Sequence, residues 1–235
     1  MALSENTSQH YSWLVVGICD YLYFFPKMTF SIVSSIAQTG ELCVATATCY
    51  VAVGDRVPKI MPGVGAVAVQ ASPKPSNRLD ILNLMKKGQS PEKAIIKCLD
   101  NDAEKDIRQI LAIDSSGSAH VFSGNKTINI SDSVIGKNFA IAGNMLRNRE
   151  IIPEMAKTFQ KNLDLNLPKR SLLALKAGED AGGDKRGRLS AALLYSKPNH
   201  RIMVLRIDYS NNPLEDLTEA LELRYSDEYA NISDL

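Results

Sequence analysis

Thr29 directly follows Met28 and opens the run TFSIVSSIA. A threonine in that position has a chemical option that others lack. Removing the methionine exposes its α-amine, a group with a reference pKa of about 7.7–8.0. A neutral amine can take the proton of the residue's own hydroxyl, so nucleophile and base share one residue. On residue types alone the commoner reading is a β-branched residue opening a strand. Asn144, in Ala142-Gly143-Asn144-Met145, follows a strand-like stretch and precedes a helical one. Helix capping is its default role, and lining a site is the alternative.

The most unusual segment runs from Ala177 to Arg188, AGEDAGGDKRGR. Gly178 and Gly183 have P-loop spacing, but Asp184 stands where the Gly-Lys-Ser/Thr ending is required, which argues against a nucleotide loop. Backbone amides beside Lys185, Arg186 and Arg188 could cradle a carboxylate or phosphate. A solvated turn with compensating charges accounts for the composition equally well. Gly63-Val64-Gly65-Ala66-Val67-Ala68 has the GxGxxA form of a dinucleotide fingerprint. That mechanism needs a strand before the motif and a helix after it. Here Pro62 precedes and a β-branched run follows, so close backbone approach within a strand is the better account.

Other chemistry is thinly represented. Four cysteines contain no CxxC pair and are accompanied by three scattered histidines. That is poor material for zinc and fits buried thiols in a reducing, cytoplasmic setting. No metal or other cofactor is expected. Net charge is +1 with no basic stripe, which argues against nucleic-acid and anionic-membrane partners.

Positioning these residues requires strands and helices that the pattern supplies. Thr29–Ala37 and Leu42–Val53 read as a hairpin across Gln38-Thr39-Gly40-Glu41, and Gly63–Ala71 as a further strand. A helix is expected over 76–87, and another begins with Ser90 as N-cap and Pro91 at the first helical position. Arg108–Asp114 and Ser118–Ser123 flank a Ser-Ser-Gly turn, and Lys137–Gly143 adds a strand. Helices over 150–162 and from Pro168 to about Gly178 follow, then paired strands at 189–196 and 202–208, then a helix from Pro213. Clustered strands alternating with clustered helices imply an α+β domain of antiparallel sheets covered by helices.

Residues 1–27 stand apart from that pattern. Their apolar run, Tyr11–Phe25, is broken by Asp20 and falls short of the ~20 apolar residues of a membrane span. The start carries Glu5 and no Lys or Arg, and no small-residue cleavage site follows, unlike a signal peptide. The favoured reading is an extension ahead of a natural start at Met28, with a propeptide removed before Thr29 and a signal anchor as the alternatives. The domain then spans 28–224, followed by a polar tail at 225–235.

Taken together, MTFSI, the Thr-Gly-Glu-Leu turn, PGVGAVAVQA, AGNML, AGEDAGGDKRGR with SAALL, and LRIDY with PLEDL resemble the domain-of-unknown-function family 1028. The resemblance implies an N-terminal-nucleophile-hydrolase-like fold, a four-layer αββα sandwich of two antiparallel sheets. It implies that Thr29 opens a central strand where relatives in the wider superfamily keep their nucleophile and cleave amide bonds. Read this way, Thr29 is nucleophile and base, Asn144 supplies the oxyanion donor, and Asp184, Lys185 and Arg186 hold a charged substrate end or tune the amine. The expected partner is a small-molecule or short-peptide substrate, and the fold is compatible with a homo-oligomer. Arg188-Leu189-Ser190-Ala191, Asp208-Tyr209 and the stretch from Ser72 to Asn77 depart from the family pattern and alter the pocket. The rival expectation is a non-catalytic small-ligand binding protein on the same fold.

Overall fold

The computed structural model describes residues 28–127, 130–182 and 188–226. Asp184, Lys185 and Arg186, the extension 1–27 and most of the tail lie outside the described residues.

Among the described residues, ten strands form two antiparallel sheets. The six-stranded sheet has the order β10-β9-β2-β1-β8-β7 and the four-stranded sheet the order β3-β4-β5-β6. The strands are β1 (Thr29–Ile36), β2 (Glu41–Thr48), β3 (Pro58–Met61), β4 (Gly65–Ala71), β5 (Arg108–Asp114), β6 (Ala119–Ser123), β7 (Ile130–Gly136), β8 (Phe139–Leu146), β9 (Ser190–Ser196) and β10 (Met203–Ile207). The helices are α1 (Val53–Arg56), α2 (Pro75–Lys86), α3 (Pro91–Leu99), α4 (Ile151–Lys161), α5 (Leu167–Asp180) and α6 (Pro213–Tyr225).

Period-two alternation makes β1 two-faced. Phe30 and Ile32 pack with Ile151, Met155 and Phe159 of α4, Leu172 and Leu175 of α5, and Leu217 of α6. Val33 turns the other way and packs with Val44, Ala68, Leu111 and Ile113 between the sheets. On its far side the smaller sheet buries Val67, Val69 and Ile110 against Ile81 and Leu82 of α2 and Ile95 of α3. Local signals set the helix starts. Ser90 Oγ accepts from Lys93 N at 3.3 Å ahead of Pro91, and Asn166 Oδ1 accepts from Lys169 N at 3.0 Å.

Three expectations need correction. The strand expected over 42–53 ends at Thr48, and Ala52 takes a left-handed conformation (φ 56°) before Val53 opens α1. Ser190 Oγ forces that turn by donating to Tyr50 O at 2.5 Å and accepting from Val53 N at 3.0 Å. Asn144 is not a cap, because β8 continues through it to Leu146. Two edge strands, β3 and β7, were not anticipated. β3 begins at Pro58, which an edge tolerates at its first residue, and β7 carries a bulge near Asp132. Gly65, by contrast, lies within β4 at a close backbone approach as expected. A Cβ there would collide with the Ile113 carbonyl oxygen and the Met85 side chain.

Candidate active site

The space between the sheets is apolar at one end and polar at the other. The polar end is where β1 begins. Thr29 pairs with Thr48 on β2 and with Asn144 on β8. Directly opposed residues on antiparallel strands share a face, so the three side chains form one row. Ser31, two residues on, also turns toward the smaller sheet. Its Oγ donates to Gln70 Oε1 on β4 at 2.6 Å and lies 2.8 Å from Thr46 Oγ1.

Gln109 on β5 is the hub of this polar layer and is fully buried. Its Nε2 donates to the Gly143 carbonyl at 3.1 Å and to Ser123 Oγ at 2.9 Å. A carbonyl only accepts, so that contact fixes which end of the Gln109 amide is nitrogen. Gln109 Oε1 therefore faces Gln70 Nε2 at 2.8 Å and Asn144 Nδ2 at 3.1 Å. This orients Asn144, which keeps one amide hydrogen uncommitted while its Oδ1 is buried without a partner. Such an orphan among otherwise satisfied groups is a feature of strained or working sites.

Thr29 Oγ1 lies 2.9 Å from Thr48 Oγ1, and Thr48 Oγ1 donates to the Met28 carbonyl at 3.1 Å. Both threonines border a cavity of about 340 Å³, near the lower end of small-molecule sites. Its wall includes Tyr50, Val51 and Arg56 on one segment and Gln70, Ala71, Ser72 and Pro73 on another. Both segments are held from behind. Ser190 clamps the first, and the Ala52 N–H donates to the Asp208 carbonyl at 2.8 Å. Arg108 donates to the Ser72 carbonyl in the second. That arginine is itself buried against Asp102, with Nε 2.5 Å from Oδ2. The Arg108 hydrogen bonds hold the Asp102 carboxyl well below the usual carboxylate range. Ala52, Ala71 and Met145, at 56°, 71° and 52°, all carry the positive φ that non-glycine residues avoid. Each adjoins the site, which is where over-determined strain collects.

Thr29 and Asn144, the two expected catalytic residues, are thus brought side by side. The expected binding residues Asp184, Lys185 and Arg186 are not among those described. Arg188, the described end of the basic segment, is directed away from the cavity. It pairs with Glu179 and stands 6.0 Å over the Phe30 ring on the helix-facing side, and burial pulls it down to about 10. Sequence reasoning passed over Thr48, Gln70, Gln109 and Arg56. A signal existed for the first three: hydroxyls at Thr46 and Thr48 with strand spacing, and lone amides in the apolar runs GAVAVQA and RQILAID. Arg56 had none.

DUF1028, a family of unknown function, matches residues 29–217. The chain belongs to DUF1028. A crystal structure from that family, protein SPO2555 from Silicibacter pomeroyi, is 32% identical, with a TM-score of 0.82 over 88% of this chain and 90% of that one. Anbu (ancestral beta-subunit) from Yersinia bercovieri aligns over 86% of this chain and 97% of its own, at 9% identity and a TM-score of 0.38. A likeness of that size carries no argument. Among curated proteins none matches the DUF1028 chain. Among its described residues no helix is long and apolar enough to cross a membrane.

Proposed function

We propose that this DUF1028 protein is an N-terminal-nucleophile hydrolase of amide bonds in small or peptide-like substrates. The fold it uses is read as a four-layer αββα sandwich, a reading supported by the three buried clusters described above. One observation carries the proposal: Thr29 lines the cavity, and strand register sets Thr48 and Asn144 on either side of it.

The chemistry requires a free Thr29 amine. While Met28 is attached, its carbonyl takes the Thr48 proton, and the Thr29 nitrogen is an amide with no basicity. Loss of Met28 removes that acceptor. Thr48 then donates to Thr29 Oγ1, and Thr29's own proton passes to the amine as Oγ1 attacks the substrate carbonyl carbon. The carbonyl oxygen gains negative charge and is met by the uncommitted hydrogen of Asn144 Nδ2. The C–N bond breaks, and the leaving amine takes the proton from the Thr29 ammonium. Water, deprotonated by the same amine, then cleaves the Thr29 ester and restores the hydroxyl. Asp184, Lys185 and Arg186 keep their proposed role at a charged substrate end. Free thiols at Cys43 and Cys98 support a reducing, cytoplasmic setting.

The test pairs intact mass with turnover. Protein made in its own host should begin at Thr29 and release amine from at least one member of a panel of small amides, ureido compounds and short peptides. Thr29→Ala should abolish that release. Full activity in Thr29→Ala would end the proposal. A second reading, a non-catalytic small-ligand binding protein, is favoured by the buried Met28 and its bonded carbonyl. A retained Met28 together with saturable ligand binding would establish it.

A further inference from the structure

The cavity beside Thr29 has a charge asymmetry that selects among amides. Arg56 is the one ionised side chain among the described residues that line it, and no carboxylate shares the wall. The remainder of the lining is hydroxyl, amide and apolar. Four other arginines are engaged, Arg108 with Asp102, Arg206 with Asp208, Arg188 with Glu179, and Arg78 with the carbonyls of Asp55 and Pro58, while Arg147, Arg149, Arg201 and Arg224 lie outside the cavity wall. Arg56 has no ion pair among the described residues. All five of its N–H donors are therefore open to a ligand.

The backbone beneath Arg56 is held tightly for so short a helix. Val53 N donates to Ser190 Oγ at 3.0 Å, and Val57 N donates to the Val53 carbonyl at 3.0 Å. Arg78 Nη1 donates to the Asp55 carbonyl at 2.7 Å and to the Pro58 carbonyl at 3.1 Å, bracketing Arg56 from both sides. Gly54 packs so closely on Arg206 and Ala192 that a Cβ there would approach them to 2.7 and 2.9 Å. A guanidinium on a fixed base loses little further freedom when it engages a planar anion in a two-pronged contact. Beside it, Tyr50 and Val51 are 44% and 54% exposed and offer an apolar face at the cavity mouth.

We propose that Arg56 is the anchor for a substrate carboxylate, so that this site takes amides bearing a free acid: N-acyl or N-carbamoyl amino acids. The carboxylate pairs with the Arg56 guanidinium, the amino-acid side chain lies along Tyr50 and Val51, and the amide carbonyl reaches the Thr29 row. An uncharged amide forgoes the charge-assisted contact, and a cationic one is repelled. Placing the carbonyl at Thr29 rests on the hydrolase reading, whereas the carboxylate contact at Arg56 does not.

Binding measured without turnover separates the two. In full-length Thr29→Ala protein, calorimetric titration with N-acetylalanine, N-acetylleucine and N-acetylphenylalanine is compared with their primary amides. The acids should bind at least about tenfold more tightly, the scale of one charge-assisted contact. Arg56→Gln should erase the difference, Arg56→Lys should restore part of it, and Arg201→Gln, exposed and outside the cavity, should leave it unchanged. Equal affinity for acid and amide overturns the assignment. So does a preference that survives Arg56→Gln, or an absence of saturable binding across the series. If the acids bind through Arg56 yet protein starting at Thr29 leaves them intact, the anchor stands and the hydrolase reading fails.

Discussion

Replacing Gln109 by leucine tests whether the polar layer is a working scaffold or only filler. The two side chains are similar in size, and the position is fully buried. A packing argument alone expects little change, or a gain. The hydrogen bonds argue otherwise. Ser123 and Ser131, whose Oγ atoms accept from Gln109 Nε2 at 2.9 and 3.1 Å, sit where water reaches them and can turn outward. Gln70 Nε2 loses one of two partners but keeps the Ala142 carbonyl at 3.1 Å. Asn144 Nδ2 loses its contact with Gln109 altogether. One stranded and one half-stranded buried donor cost about 2–5 kcal/mol together. Burying leucine offsets this by about 1–2 kcal/mol, leaving a net loss centred on about 2 kcal/mol. With a urea slope of roughly 2–3 kcal/mol/M for a domain of this size, the midpoint should fall by about 1 M. Far-UV circular dichroism, which reads the loss of both sheets and the helices, is the suitable probe. The double variant Gln109→Leu with Asn144→Leu removes donor and acceptor together. It should recover about 1–2 kcal/mol relative to the sum of the singles. A Gln109→Leu midpoint equal to wild type, or strict additivity in the double, would refute this account of how Asn144 is oriented.

The Arg108–Asp102 pair behind the Ser72 wall should make the protein acid-sensitive. Its carboxyl is depressed in the folded state, so it contributes stability that is full above the unfolded value of about 3.9 and lost as pH falls toward the folded one. Urea midpoints in wild type should hold between pH 6 and about pH 4 and drop steeply from there toward pH 2. Asp102→Asn leaves the buried Arg108 with only the exposed Glu104 as a charge partner, so it should be destabilised by about 3 kcal/mol and give a shallower pH dependence; parallel slopes would count against the pair as the cause. Ser190→Ala removes two hydrogen bonds that hold the turn after β2 and should cost about 1–3 kcal/mol. Hydrogen exchange at the Val53 amide should quicken well before global unfolding, and unchanged protection there would show that the Ser190 clamp is dispensable.

Much of the fold was legible because it is written in local periodicity. The alternation in TFSIVSSIA and the capping serine before Pro91 dictate their elements with little help from distant residues. So do the apolar stripe through Ile151, Met155 and Phe159 and the paired runs 189–196 and 202–208. Thr29 could be singled out as well, because its possible chemistry is a property of one residue and its predecessor. The edge strands β3 and β7 escaped, since short strands with mixed faces carry a weak period and are stabilised mainly by the neighbour they pair with. The strand expected to run through Val53 stopped at Thr48 because a serine about 140 positions later grips the backbone there.

The site divides along the same line. A lone residue's reactivity travels with the sequence, which is why Thr29 stood out before any fold was known. Which partners surround it is settled by strand register and by the apposition of two sheets. Thr48 and Asn144 stand beside Thr29 only because β1 is paired on both edges, and Gln109 reaches Asn144 only because a second sheet lies across the first. Sequence separation holds no record of such distances. The burial that closes the two sheets on one another brings these amides and hydroxyls to 2.9–3.1 Å from their partners, and it leaves Arg56 on the wall of the same cavity.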